Sequence, residues 1–117
     1  GLSVTLPRLV GTSHASLLLL TGRRISGAKA HAIGLADELV PHSEVRQSAF
    51  ALASEIAISG PLAVHAIRRT LREGLAQAVV GATEHELAEQ SRLRASADFQ
   101  EGVQAMAQRR PPNFKGC

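Results

Sequence analysis

Several stretches of this 117-residue chain hold side chains able to bind metal, move protons or attract anions. His85-Glu86-Leu87-Ala88-Glu89 begins like a zinc-binding helix, in which two His four residues apart face one way and an intervening Glu acts as base. Glu89 stands where the second His belongs, so no metal is expected. Ser13-His14 and Ser16 set hydroxyls beside an imidazole, but adjacent side chains on a helix diverge, and no acid is placed to orient His14. Asp37-Glu38 offers two carboxylates; neighbours in an extended segment face opposite ways, which favours a structural role over an acid–base couple. Arginines cluster at Arg23-Arg24, Arg68-Arg69 with Arg72, Arg92 with Arg94, and Arg109-Arg110, and the formal net charge is +3. That balance suits an anionic partner, either nucleic acid or a phosphorylated cofactor. No glycine-rich phosphate loop accompanies it. These residues contain no complete catalytic constellation.

The elements that position them read as helices. Residues 21–40 are the densest connector. Gly22 follows an apolar run and suits the left-handed C-terminal position of a helix. Ser26 is a natural N-cap for a short helix through Ala28, Ala32 and Ile33, and Gly34 stops it. Residues 35–40, closed by Pro41, read as a short strand. Upstream, Leu6 to Val10 forms a short helix with Pro7 in its first turn, ended by Gly11. Residues 15–20 are apolar nearly all round and are expected to be buried. Ser43 is expected to cap a helix carrying Val45, Ala49, Leu52 and Ile56 on one face. Gly60-Pro61 separates it from a helix with Ala63, Ile67, Leu71 and Leu75 on one side and His65, Arg68, Arg69 and Arg72 away from it. Arg69 and Glu73 are spaced to pair. The pattern loosens between Gly74 and Gly81. A polar helix follows over residues 83–95, which needs a partner to be stable. Asp98-Phe99-Gln100-Glu101 is an Asp-x-x-Glu form of the capping box with Asp98 as N-cap. Phe99, Val103 and Met106 form the last apolar stripe, and Gly102 inside it suggests a close approach. Pro111-Pro112 begins an extended tail. Six or seven helices and one strand make the chain mainly α.

Composition agrees. Hydrophobic residues make up 44%, but the aromatics are three Phe with no Trp or Tyr, so any core is built from Leu, Ile, Val and Ala. The one Cys is residue 117, which precludes an internal disulfide and fits a reducing, cytoplasmic setting. No apolar run reaches transmembrane length, so no membrane partner is expected. The first residues, Gly1-Leu2-Ser3-Val4-Thr5, lack an initiator Met and a charged signal region, and read as a chain beginning in mid-protein.

Three segments together resemble the crotonase superfamily, the enoyl-CoA hydratase/isomerase family. They are Leu6-Pro7-Arg8-Leu9-Val10-Gly11; Leu20-Thr21-Gly22-Arg23-Arg24-Ile25-Ser26 with Ala30 and Ile33-Gly34-Leu35-Ala36-Asp37-Glu38-Leu39-Val40; and Ser96-Ala97-Asp98-Phe99-Gln100-Glu101-Gly102-Val103 with Arg110-Pro111 and Phe114. Pro61 with Ala63-Val64 fits the helix between. Leu2-Ser3-Val4-Thr5 departs from the glycine-rich pattern common there, and Met106 stands where Phe is common.

The resemblance implies the helical C-terminal part of the α/β ClpP/crotonase-type spiral fold. Residues 1–40 would be the end of the spiral core with its connector, and residues 41–117 the C-terminal helical oligomerisation region. It implies an intact parent that hydrates or isomerises acyl-CoA thioesters through a stabilised enolate, a homo-oligomer (trimer or hexamer). Coenzyme A enters as part of the substrate and no separate cofactor is implied. The oxyanion-hole donors and the acid–base Glu pair would precede Gly1, leaving no catalytic residue in this chain. Near the CoA end of the pocket the tail would offer Phe114 to the adenine ring and Lys115 to phosphate. The rival reading is a basic all-α nucleic-acid-binding module, disfavoured by the absence of stacking aromatics and of a single recognition helix.

Overall fold

Gly11 shows how the first helix is built. In the computed structural model, which describes residues 1–117, α1 runs from Leu2 to Thr21 but breaks at Gly11, whose φ of 75° and ψ of 160° are non-helical. The helix starts four residues before the expected Leu6. The Gly1 carbonyl accepts from the N–H groups of Val4 and Thr5, and Pro7 lies inside the helix rather than in its first turn. Gly22 takes the left-handed C-cap and donates its N–H to the Leu18 carbonyl at 3.0 Å. Ser26 caps α2 (Gly27–Ala32) by accepting from Lys29 N at 3.2 Å.

Past α2 the expected strand is not there. Gly34 is left-handed, Leu35 N–H bonds back to the Ala30 carbonyl at 2.9 Å, and residues 35–40 run as turn and coil. A strand exists only through a ladder with a neighbour, and no second strand stands beside this one. Pro41 then leads into a 3-10 turn at His42–Glu44 that absorbs Ser43. α3 (Val45–Ala57) therefore starts without a side-chain cap.

α4 (Pro61–Leu71) opens on the Gly60-Pro61 pair. It ends before Glu73, so Arg69 and Glu73 lose their helical register and form no ion pair. Gly74, left-handed, makes the break that the loosened pattern suggested, but α5 (Leu75–Arg94) then runs without interruption through Gly81. Its partner is α1. The half-buried residues of α5, among them Leu75, Val79, Ala82, Glu86 and Glu89, recur at helical spacing, and the Glu86 carboxylate accepts from Ser3 N at 3.1 Å and Ser3 Oγ at 2.5 Å as well as from the Gly1 amino group. α6 (Ala97–Ala107) packs on α5.

Very little of this is covered. Leu6, Val10 and Ala15, with Leu18 and Ile33 against them, form the one buried cluster, and Ala105 is the only other buried residue. The radius of gyration is 19.4 Å, against about 13 Å for a globular chain of this length. The accessible surface is 9580 Å², about 3,500 Å² more than a compact monomer of this mass exposes. Residues 15–20 were expected to be buried all round. Only Ala15 is; Leu17 and Leu19 are exposed and Leu20 is 86% exposed, because nothing in the chain lies over that face.

Candidate functional site

The site is built where the end of the chain turns back on α6. The last helical turn closes with Arg109 in the left-handed region at φ 54°. Arg109 N–H bonds to the Met106 carbonyl at 3.2 Å and Arg110 N–H to the Ala105 carbonyl at 3.0 Å, the paired bonds of a Schellman stop. This reverses the chain, and residues 111–117 run back toward the start of α6. A non-glycine residue in that conformation carries strain of about 1 kcal/mol.

α6 is capped by Ser96, whose Oγ accepts from Phe99 N at 3.1 Å. The N-cap expected at Asp98 is thus two residues early, and the Asp98 carboxylate is left for another use. It accepts from Lys115 N and Gly116 N, both at 2.7 Å, while Asp98 N–H donates to the Cys117 carbonyl at 3.0 Å. Glu101 takes Arg110 through two parallel bonds of 2.6 and 2.8 Å and Asn113 N at 2.7 Å. The two carboxylates that look like a capping box therefore bind the tail. A Cβ built on Gly102 would stand 3.4 Å from Phe114 Cε1 and 3.7 Å from Cζ, so the close approach expected at Gly102 is made by the Phe114 ring. Asp98, Glu101, Gly102 and Ala105 form the covered side of α6. The expected apolar stripe of Phe99, Val103 and Met106 faces outward, with Met106 80% exposed.

Phe114 and Lys115 are thus brought together on one short tail. Phe114 keeps much of its ring exposed, and the Lys115 ammonium has no carboxylate within ion-pair distance. A cleft of about 260 Å³ between tail and helix is lined by Ala97, Asp98, Glu101, Asn113, Lys115 and Cys117. The hydrogen bond from Arg110, then that from Asn113 N, holds the Glu101 carboxyl at about 2, below its ordinary 4.5. A carboxyl depressed on folding contributes stability above its unfolded value and loses it as pH falls through the folded one. The Asn113 amide and Arg110 side-chain resonances are therefore expected to titrate with a midpoint near 2, and Glu101→Gln removes the transition. A midpoint at 4.5 would contradict the latch.

Elsewhere the candidate residues are otherwise engaged. Glu86 accepts from Ser3 N and Ser3 Oγ, and Glu89 binds Arg92 at 2.6 Å, so both carboxylates of the zinc-like stretch have partners. Glu38 accepts from Ser48 Oγ, bracing the connector against α3; with Asp37 it lines an open hollow of about 360 Å³ whose apolar wall is Leu39, Val40, Val45 and Leu52. His65, Arg68, Arg69 and Arg72 edge a broad open groove on α4, whereas Arg92 and Arg110 are paired with Glu89 and Glu101.

A family model described as enoyl-CoA hydratase/isomerase matches residues 1–117. Among curated proteins, the chain is 37% identical over 115 residues to the enoyl-CoA hydratase EchA19 of Mycobacterium tuberculosis, covering 98% of this chain and 43% of that one. It is 35% identical over 109 residues to the 2,3-dehydroadipyl-CoA hydratase of Escherichia coli, covering 93% of this chain and again 43% of the relative. Among solved structures, a carnitinyl-CoA dehydratase from Mycobacterium avium superposes with a TM-score of 0.85 at 31% identity, over 96% of this chain and 45% of that one. The chain therefore spans less than half the length of the proteins it matches, and these similarities take the place of the nucleic-acid reading.

Proposed function

Because the chain belongs to the enoyl-CoA hydratase/isomerase family, we propose that it is the C-terminal helical portion of a cytoplasmic acyl-CoA enzyme. It serves assembly into a homo-oligomer, a trimer or hexamer, and completes the nucleotide end of the substrate pocket. The observation that carries this is the family match over residues 1–117. The parent hydrates or isomerises an enoyl thioester, as a lyase or isomerase, through an enolate held by two backbone N–H donors. Those donors and the carboxylates that move the proton and water come from outside these residues.

The chemistry of this chain supports that division of labour. A general acid or base works best with a pKa near the working pH. Glu101 is held near 2 by Arg110 and then Asn113, and Glu89 is lowered by Arg92. These carboxylates are fixed as anions and spend themselves on structure. Phe114 offers an exposed flat face for a purine ring, and Lys115 a mobile charge for phosphate.

The isolated chain is accordingly expected to be inactive. Purified and incubated with crotonyl-CoA, it should leave the enoyl-thioester absorbance falling at the uncatalysed rate, while the full-length parent consumes it. Turnover by the isolated chain would overturn the assignment of catalysis to residues outside it. A parent inert toward enoyl thioesters would overturn the activity itself.

A further inference from the structure

We propose that residues 110–117 are a two-state strap on α6, whose opening is coupled to a change of the residue that caps the helix. In the closed state, the one in the structure, Ser96 caps α6 and the strap holds Asp98 and Glu101. In the open state the strap lifts. Asp98 and Glu101 then form with each other the capping box that their spacing encodes, and α6 starts two residues later.

The two states compete for the same groups. A capping box uses the side chain of the N-cap residue, that residue's backbone N–H, and the carboxylate three residues on. In the closed state the strap occupies all three. The Asp98 carboxylate accepts from Lys115 N on one oxygen and Gly116 N on the other, both at 2.7 Å. Asp98 N–H donates to the Cys117 carbonyl at 3.0 Å. Glu101 takes the Arg110 guanidinium and Asn113 N. Lifting the strap releases the three groups together, and each has a new partner within one helical turn. The Asp98 carboxylate takes the N–H of Glu101, and the Glu101 carboxylate takes the N–H of Asp98. Ser96 permits the closed state, because its Oγ accepts from Phe99 N at 3.1 Å and caps the helix without Asp98. The strap itself is lightly held. Residues 111–117 are all exposed and carry no secondary structure, and the turn before them keeps Arg109 at φ 54°, a strained angle for a residue with a Cβ. A segment held by a few exposed hydrogen bonds belongs to the low-stability end of a fold. Partners waiting for the released groups ease its opening, since those groups are not left unsatisfied.

Hydrogen exchange resolved to single amides, on the full-length parent, tests the competition from both ends. Ser96→Ala removes the cap of the closed state, and Ser96 makes no hydrogen bond to the strap. The Lys115 and Gly116 amides should nevertheless exchange about fivefold faster, the change in population that follows from losing a serine cap. The Glu101 amide, taken over by the Asp98 carboxylate, should stay protected. Ser96→Asp, which keeps a capping oxygen, should leave the strap amides within about twofold of the parent. The reciprocal variant is Arg110→Ala, which loosens the strap at Glu101 and leaves Ser96 and Asp98 intact. Because coupling between two equilibria is mutual, it should quicken exchange at Phe99, the amide that Ser96 gives up when Asp98 takes the cap, and again spare Glu101. Strap amides unchanged by Ser96→Ala, or a Phe99 amide unchanged by Arg110→Ala, would mean that strap and cap are independent and would overturn the proposal. So would a Glu101 amide that quickens along with the strap, since the helix end would then be fraying rather than changing its cap.

Discussion

At micromolar concentration the isolated 117-residue chain is expected to sediment as an oligomer rather than as a compact monomer. The excess exposed surface of about 3,500 Å² is several times the roughly 800 Å² that one partner contributes to an ordinary protein–protein contact. Much of it is apolar: Leu20, Ile58 and Leu62 are 86, 88 and 84% exposed. Between α3 and α4, Ile56, Val64, Ile67 and Leu71 line an open groove of about 440 Å³. Bare apolar area of this extent marks a surface that is covered in the working state. In the isolated chain the available cover is another copy, through native contacts or exchange of helices. The double variant Ile58→Asp with Leu62→Asp should shift the sedimentation toward monomer while leaving helix content nearly unchanged, since neither side chain is buried within the chain. An unsubstituted 117-residue chain that sediments as a compact monomer would refute the expectation.

The opposite behaviour is expected at Leu6. It sits in the three-residue cluster that holds the two segments of α1 to each other and to Ile33 at the end of α2. Leu6→Ala should cost about 2 kcal/mol, the low end of the range for core leucines, because the cluster is small and can partly collapse. Leu6→Asp should cost about 3 kcal/mol or more, since the site offers a buried carboxylate no partner. With so little other burial, that loss should melt α1 away from α5, read as a fall in helical circular dichroism and a lower urea midpoint. Leu20→Asp, on the same helix but bare, is the control and should change the isolated chain's unfolding by less than about 0.5 kcal/mol. Equal effects at Leu6 and Leu20 would mean that the cluster is not what organises this end of the chain.

Much of the element order was legible in residues acting alone. Gly22, Ser26, Gly34 and the Gly60-Pro61 pair each stop or start a helix where the sequence placed the boundary. Each works through one backbone angle or one side-chain oxygen, and neither depends on what lies across the fold. The close approach at Gly102 was visible for the same kind of reason: a glycine inside a helix costs stability unless something needs the space. The resemblance to one family was likewise carried by short segments in order, so membership was readable although no catalytic group was.

What the sequence could not decide were matters of partnership. Residues 35–40 have a strand's composition, but a strand is a pairing, and this segment has nothing to pair with. Asp98 and Glu101 have the spacing of a capping box. Ser96 reaches the same helix end first, and the returning tail, reversed at Arg109, claims both carboxylates. Phe99, Val103 and Met106 form a regular apolar stripe, yet the covered side of α6 is the one bearing Asp98, Glu101, Gly102 and Ala105. Periodicity reveals that a helix has two faces; only the body placed against it settles which one is inside. The polar α5 needed a partner, and tertiary structure supplied α1, through Ser3 bonding to Glu86. Local chemistry therefore wrote the helices and their ends, while their arrangement, and the tail that presents Phe114 and Lys115, came from contacts between residues far apart in the chain.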